Sequence, residues 1–338
     1  MTDRYAVIGN PIAHSKSPLI HAAFARETGQ DLEYGRILGD ADDFAGAVRR
    51  FVAAGGRGLN VTLPFKEAAC ALADEISPAA AQAGAVNTLI VLAGGRLRGD
   101  NTDGVGLVRD LVVNHGFDFR GARVLLIGAG GAARGVLHPL LATAIASLTL
   151  ANRGADKARQ LVARFRAQAP IADPASPLPS PLPAVGLVRE ARDQAGGQVA
   201  PLTAENKGSE GKEGAKGGGA SDAFSSSQGA QILANGFEEL SGHSFDLIIN
   251  ATSAGLNGAV PAIPSGCLAS GGWTYDMLYA DQPTAFCRWG QAQGASHALD
   301  GLGMLVEQAA ESFRLWRGVR PSTAPVIRCL RAGVTPLP

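Results

Sequence analysis

Apolar residues in the first hundred positions alternate between short unbroken runs and stretches with helical spacing. Residues 5–9 (YAVIG) read as a buried strand that leads into a proline-containing turn. Residues 18–28 follow as a helix with Leu19, Ala22, Ala23 and Phe24 on one face. Residues 58–62 (GLNVT) and 86–92 (VNTLIVL) form two further strands, with helical segments around 42–54 and 65–76 between them. Strands alternating with helices predict βαβ units and a largely parallel sheet.

A second α/β unit opens at Arg123. The near-continuous apolar run RVLLIG is the pattern of a strand covered on both faces. It leads through GAGGAARG into a helix reaching Ala144, then a strand at 147–151, with later strands at 245–251 (FDLIINA) and 273–277 (WTYDM). From about 170 to 229 the periodicity vanishes into segments such as PASPLPSPLPA and GSEGKEGAKGGGASDAFSSS. That composition buries too little apolar surface to offset the entropy of ordering, and an insertion without chemistry is expected. The fold class is thus α/β, with an N-terminal α/β unit followed by a dinucleotide-binding type unit on a parallel sheet.

Composition narrows the function. The 338 residues are enough for about two domains, and 46% hydrophobic against 18% charged residues supply a substantial core. Thirty basic residues balance thirty acidic ones, which argues against nucleic acid and against a basic membrane patch. Cys70, Cys267, Cys287 and Cys329 are scattered, without a C-x-x-C pair or a histidine at metal spacing, so no metal site is expected. No stretch approaches the ~20 apolar residues of a spanning helix. The N-terminal residues lack a secretory pattern, and a cytoplasmic protein is expected.

The first chemical signal is the turn after RVLLIG. Gly128, Ala129, Gly130, Gly131, Ala132 and Ala133 match G-x-G-x-x-A between strand and helix. The first glycine permits the tight turn, and the second lets the backbone approach a diphosphate. The small sixth residue lets helix pack on strand, and free N–H groups at the helix start meet the phosphate charge. An NAD site usually places an acid at the end of the next strand. Here Asn152 and Arg153 stand there, with Lys157 shortly after; Asp156 falls in the start of the following helix. A guanidinium pairs with a 2′-phosphate that an acid would repel, so NADP is the expected cofactor.

The second signal is a set of polar clusters after the strands of the first unit: NPIAHSKSP from Asn10, NVTLPFK from Asn60, GAVNT from Gly84 and GDNTDG from Gly99. Each alone reads as turn chemistry, and Ser15 and Ser17 are equally suited to capping a helix. Together they gather Ser, Thr, Asn, Lys and Asp at the strand ends of one sheet, where α/β proteins bind ligands. The set suits a small polyhydroxylated anion.

These clusters, with LLIGAGGAARG, INATSAG and DGLGMLVEQAA, resemble in order the motifs of the shikimate dehydrogenases over nearly the whole chain outside the insertion. The resemblance implies reversible NADP-dependent reduction of 3-dehydroshikimate to shikimate, on the route to chorismate and aromatic amino acids. It implies that Ser15 and Ser17 bind the substrate carboxylate and that Thr62, Asn87 and Asp103 hold ring hydroxyls. Lys66 would contact the reacting oxygen as general acid and base, with Asp103 as its catalytic partner. Tyr279 would face the substrate and Gln308 would hydrogen-bond it. Met277 would line the nicotinamide, Gly301 would approach the cofactor, and Asn152, Arg153 and Lys157 would surround the adenosine phosphate. His14 receives no catalytic role.

The implied organisation is a substrate-binding and catalytic domain over 1–104, an NADP-binding domain over 105–308 containing the insertion, and helices over 309–338 returning to the first domain. The protein would act on its small-molecule substrate as a monomer or homodimer. The chain departs from the family where Gly154 and Lys157 replace a threonine and a second arginine, which bears on the strictness of NADP over NAD. Two alternatives remain at this stage: a quinate/shikimate dehydrogenase of broader specificity, and a non-catalytic sensor of NADP or a shikimate-like acid.

Overall fold

The computed structural model describes residues 2–168 and 230–335; the expected insertion at 170–229 lies outside them. Six strands and five helices come first: β1 (Asp3–Gly9), α1 (Ser17–Glu27), β2 (Leu32–Leu38), α2 (Phe44–Ala53), β3 (Gly56–Val61), α3 (Lys66–Leu72), β4 (Glu75–Ile76), α4 (Pro78–Ala83), β5 (Thr88–Val91), β6 (Leu97–Asp100) and α5 (Asp103–Arg109). The strands form one sheet in the order β2-β1-β3-β5-β6-β4. Its β1–β2, β1–β3 and β4–β6 pairings are parallel, but β5 runs antiparallel to both β3 and β6. The largely parallel sheet expected from the sequence is therefore mixed. A short turn joins β5 to β6, and so brief a link permits only antiparallel pairing.

The second half contains β7 (Arg123–Ile127), α6 (Gly131–Leu141), β8 (Ser147–Asn152), α7 (Ala155–Gln168), β9 (Gln231–Gly236), β10 (Phe245–Asn250), β11 (Leu268–Asp276), α8 (Ala285–Ala292), β12 (His297–Asp300), α9 (Leu302–Arg317) and α10 (Ala324–Arg331). The sheet order is β12-β11-β10-β7-β8-β9, with every pairing parallel. The order reverses between β7 and β10, the point at which doubly wound sheets open a ligand crevice at their C-terminal edge.

Burial explains the unbroken apolar runs. Val124 and Leu126 join one core cluster with Leu148, Leu150 and Leu247, while Leu125 and Ile127 join another with Phe245 and Ile248. Both faces of β7 are covered, so the strand has no polar side. Each fully buried leucine or isoleucine contributes roughly 2 kcal/mol relative to exposure.

Helix α5 carries two glycines that would weaken an isolated helix. A methyl at Gly104 would lie 2.3 Å from Pro139 Cγ on α6, and one at Gly106 would lie 2.8 Å from the Gln308 backbone nitrogen on α9. The glycines let three helices pack at backbone distance. A π-helical turn at Asp110–Asn114 extends α5. The expected domain limits at 104 and 308 fall within α5 and α9, both continuous helices. Among the described residues, no helix is long and apolar enough to cross a membrane, and no group of three His, Cys, Asp or Glu is placed to hold a metal ion.

Candidate active site

Antiparallel β5 positions the polar clusters. Its N-terminal end lies beside the C-terminal ends of β3 and β6, with Asn60 opposite Thr88 and Thr88 opposite Asp100. Residues following β3, preceding β5 and following β6 therefore meet at one sheet edge. Lys66 opens α3, directly after Phe65, whose buried ring stacks on Phe44 with centroids 4.9 Å apart. The Lys66 carbonyl accepts from Val86 N at 2.9 Å. Asp103 opens α5, and its N–H donates to Asn101 Oδ1 at 3.1 Å.

Lys66 Nζ donates to Asp103 Oδ2 at 2.5 Å. Their side chains are 19% and 8% exposed, so solvent screens this pair far less than a surface pair. The other Asp103 oxygen accepts from Asn87 Nδ2 at 2.8 Å. Asn87 Oδ1 accepts from Thr102 N at 2.9 Å and from Thr88 Oγ1 at 2.8 Å, which fixes which end of the amide faces Asp103. Gln308 Oε1 lies 3.4 Å from Asn87 Nδ2 and 3.3 Å from Thr102 Oγ1. Its amide nitrogen donates to Leu305 O at 2.8 Å. The structure thus brings Lys66, Asn87, Asp103 and Gln308 into one network.

Behind that network lies a layer that the sequence motifs did not assign. Ser312, buried and one helical turn beyond Gln308, has its Oγ 2.8 Å from Thr88 Oγ1, 3.3 Å from Thr102 Oγ1 and 3.0 Å from Asn60 Nδ2. Asn60 Oδ1 accepts from Tyr34 OH at 2.6 Å, and burial raises the Tyr34 phenol well above its ordinary range. Tyr34 in turn stacks on His21, with centroids 4.2 Å apart. Asn60 and Thr102 belong to the polar clusters, yet no role was expected of either. Ser312 was legible only from its spacing of four from Gln308, which places both on one helix face.

The other residues expected to bind substrate stand on separate segments. Ser17 is buried at the start of α1, and its N–H donates to Ser15 Oγ at 3.3 Å. The N-cap of α1 is Lys16, which makes no side-chain capping bond, and Arg36 holds the Ser15 carbonyl at 2.6 Å. Thr62 is half-buried after β3, its N–H donating to Ile8 O at 3.0 Å. Tyr279 is half-buried against the apolar cluster of α1 and α9, and burial raises its phenol. Lys16 Nζ reaches Asp281 at 3.2 Å, linking the serine loop to the segment that carries Tyr279. Neither serine, Thr62 nor Tyr279 hydrogen-bonds directly to the Lys66–Asp103 pair among the described residues.

The glycine turn has the form that a dinucleotide requires. Gly128 adopts φ +113°, and a methyl there would lie 3.2 Å from the Ala251 carbonyl. A methyl at Gly130 would meet nothing within 4 Å, leaving open space over the start of α6. Gly131 begins that helix, Ala129 and Ala132 are half-buried beside it, and Ala133 is fully buried. At the end of β8, Asn152 Nδ2 donates to Gly154 O at 3.0 Å. Arg153 and Lys157 are exposed and make no side-chain hydrogen bond or ion pair among the described residues. Half-buried Met277 follows β11, its N–H donating to Asn250 O at 2.9 Å. A methyl at Gly301 would lie 2.4 Å from the Met277 carbonyl oxygen, so close backbone packing already requires glycine there. The first part of α6 also backs onto the polar network, since a methyl at Gly135 would lie 3.3 Å from Asp103 Oδ2.

Comparison with known proteins agrees with this arrangement. Residues 7–89 match the shikimate dehydrogenase substrate binding domain, 111–190 match shikimate / quinate 5-dehydrogenase, and 301–331 match the shikimate 5'-dehydrogenase C-terminal domain. The shikimate dehydrogenase (NADP(+)) of Alkalilimnicola ehrlichii is 48% identical over 98% of this chain and 99% of its own. A crystal structure of an Ael1 enzyme from Pseudomonas putida superposes with TM-score 0.73 at 38% identity, covering 97% of this chain and 98% of that one. Shikimate 5-dehydrogenase from Thermus thermophilus, solved in complex with NADP(H) and shikimate, gives TM-score 0.71 at 27% identity over 98% and 100% of the two chains. A part-buried lysine–aspartate pair backed by the helix of the glycine turn, on a chain matched along almost its full length by such relatives, places this protein in the shikimate dehydrogenase family.

Proposed function

We propose that the protein catalyses the reversible NADP-dependent reduction of 3-dehydroshikimate to shikimate on the route to chorismate and aromatic amino acids. The observation that carries this reading is the Lys66–Asp103 contact of 2.5 Å, held by Asn87 and backed by the helix that follows the glycine turn. When bound, the reduced nicotinamide supplies a hydride to the carbonyl carbon.

Negative charge then grows on the carbonyl oxygen, and the Lys66 ammonium donates its proton there; in oxidation the amine takes the proton back. Asp103 orients Lys66 and a ring hydroxyl, with Asn87 and Thr62 holding hydroxyls beside it. Ser15 and Ser17 bind the carboxylate, Tyr279 faces the substrate and Gln308 hydrogen-bonds it. What supports this division is that Lys66 and Asn87 both hydrogen-bond the Asp103 carboxylate, while Ser15 and Ser17 stand together at the entrance of α1.

The residues present fit the dinucleotide. The open space at Gly130 accepts a diphosphate, for which residues 128–132 form the cradle. Arg153 and Lys157, without partners among the described residues, suit the 2′-phosphate, with Asn152 beside them. Met277 and Gly301 would flank the nicotinamide. In this reading 1–104 serves the substrate, 105–308 serves NADP, and 309–338 returns to the first domain. The enzyme works in the cytoplasm as a monomer or homodimer.

The test is cofactor consumption, followed by absorbance, with 3-dehydroshikimate and NADPH. Turnover is expected, with kcat/KM higher for shikimate than for quinate in the oxidative direction. Folded protein that binds NADP+ yet leaves NADPH unconsumed would overturn the proposal.

A further inference from the structure

Asn250 and Asp276 end the neighbouring strands β10 and β11, where they are register partners, and both are fully buried. Asn250 Nδ2 donates to Asp276 Oδ1 at 3.0 Å, and the same oxygen accepts from Leu278 N at 3.2 Å. On the other side, Asn250 Oδ1 accepts from Thr252 Oγ1 at 2.7 Å and from Thr252 N at 3.1 Å. The pair thus ties the turn after β10 to the segment after β11.

Each end of this tie meets a residue already placed on the cofactor side. A methyl at Gly128 would lie 3.2 Å from Thr252 Cγ2, so the turn after β10 packs directly on the glycine turn. The segment after β11 carries Met277 between Asp276 and Leu278, and Leu278 O accepts from Gly301 N at 2.9 Å. Asp276 is poorly suited to a purely stabilising role. It makes no ion pair among the described residues, and its Oδ2 is buried without a hydrogen-bond partner. A buried carboxylate left half-satisfied weakens a fold rather than supporting it.

We infer that Asp276 is a positioning residue for hydride transfer, its Oδ1 fixing the Met277 segment against the turn that packs on Gly128 and so setting the span between the diphosphate and nicotinamide ends of the site. The inference deepens the functional reading above and rests on its placement of the cofactor. Hydride transfer is steeply sensitive to misplacement of the reacting carbons, whereas the diphosphate end is cradled by the backbone of residues 128–132 whatever stands at position 276.

The test compares the wild type with Asp276→Ala, Asp276→Asn and Thr252→Val, with melting curves as controls for folding. Two ligands are titrated by calorimetry: NADP+, and 2′-phospho-ADP-ribose, which lacks the nicotinamide. Turnover of 3-dehydroshikimate is followed with NADPH and with NADPH deuterated at the transferred hydrogen. Asp276→Ala is expected to bind 2′-phospho-ADP-ribose like the wild type and NADP+ more weakly. Its kcat should fall by about tenfold, the scale of one or two lost buried hydrogen bonds, with a larger isotope effect than the wild type shows. Asp276→Asn, whose amide oxygen can accept both bonds, should regain most of kcat. Thr252→Val loses one bond to Asn250 but keeps the shape packed on Gly128, and it should move kcat and the isotope effect the same way by less. Wild-type kcat and isotope effect in Asp276→Ala would overturn the inference. So would equal losses for the two ligands, which mark general damage, or an Asp276→Asn as slow as Asp276→Ala, which would assign the effect to charge. Should Asp276→Ala not fold, Thr252→Val decides, and a wild-type isotope effect there overturns the inference. Failure of folded wild type to oxidise NADPH with 3-dehydroshikimate would strike first at the functional reading, and this inference would fall with it.

Discussion

At the scale of single residues, the proposed mechanism divides the chemistry between two side chains. In it Lys66, with one acidic partner, protonates the carbonyl oxygen, so Lys66→Ala should lower kcat by roughly 10²–10⁴-fold while KM for shikimate changes little. Steady-state kinetics check this, and near-normal turnover would remove Lys66 from proton transfer. Arg153 faces solvent without a partner among the described residues, and a phosphate would occupy it fully. Arg153→Ala should therefore raise KM for NADPH far more than for NADH; equal changes would show that it does not read the phosphate. Both are candidates that the sequence itself singles out, because each follows a recognisable strand. The spacing of Ser312 puts it on the face of Gln308, but its contact with Thr88, 224 positions away, is one that no local spacing discloses.

At the scale of elements, legibility followed burial. Strands covered on both faces, such as β7 and β10, announced themselves as unbroken apolar runs. The edge strand β2, with no buried residue, and the four-residue β6, ending in Gly99 and Asp100, did not. Helix α5 was hidden by Gly104 and Gly106, which lower intrinsic helicity but are demanded by the helices packed on either side. The segment at 65–76 was read as one helix, yet α3 stops at Leu72 and Glu75–Ile76 pairs with β6, tertiary pairing having won over local periodicity.

Helix α1 holds a testable consequence of its own. His21 is fully buried between Tyr34 and Phe24 with both ring nitrogens unpartnered, and burial pulls its imidazole from 6.5 down to about 3. The unfolded chain therefore takes up a proton near pH 6.5 that the folded protein refuses. This contribution to stability is complete above pH 6.5 and is lost as pH falls toward 3, by up to about 1.4 kcal/mol per pH unit. His21→Phe, which preserves the aromatic stack, should flatten the acid side of a plot of unfolding free energy against pH. An unchanged slope would mean that other groups govern acid unfolding.

At the scale of the whole molecule, a buried carboxylate gathers distant parts of the chain. Glu307 on α9 accepts from Arg109 Nε at 3.0 Å, Arg320 Nη2 at 2.8 Å, Asn114 Nδ2 at 3.2 Å and Thr323 Oγ1 at 2.5 Å. Glu307→Ala would leave Arg109 without a carboxylate and Arg320 with Glu311 alone, and a loss of about 3 kcal/mol is expected. The lower end of the range for buried pairs applies because those arginines still reach solvent. Urea unfolding measures it, and a loss below about 1 kcal/mol would show that water replaces the carboxylate.

The same helix sets a rule of phase. Gln308 faces the Asn87–Thr102 network and Ser312 meets the layer behind it from one side of α9, while Glu307 points toward the arginines. Adding a single alanine upstream of residue 307 within α9 would turn all three by about 100° relative to the first sheet and carry each about 1.5 Å along the axis. The Gln308 contacts, the hydrogen-bond backing by Ser312 and the arginine pairing would go out of step together. The count of residues in α9 is thus as tightly constrained as their identity.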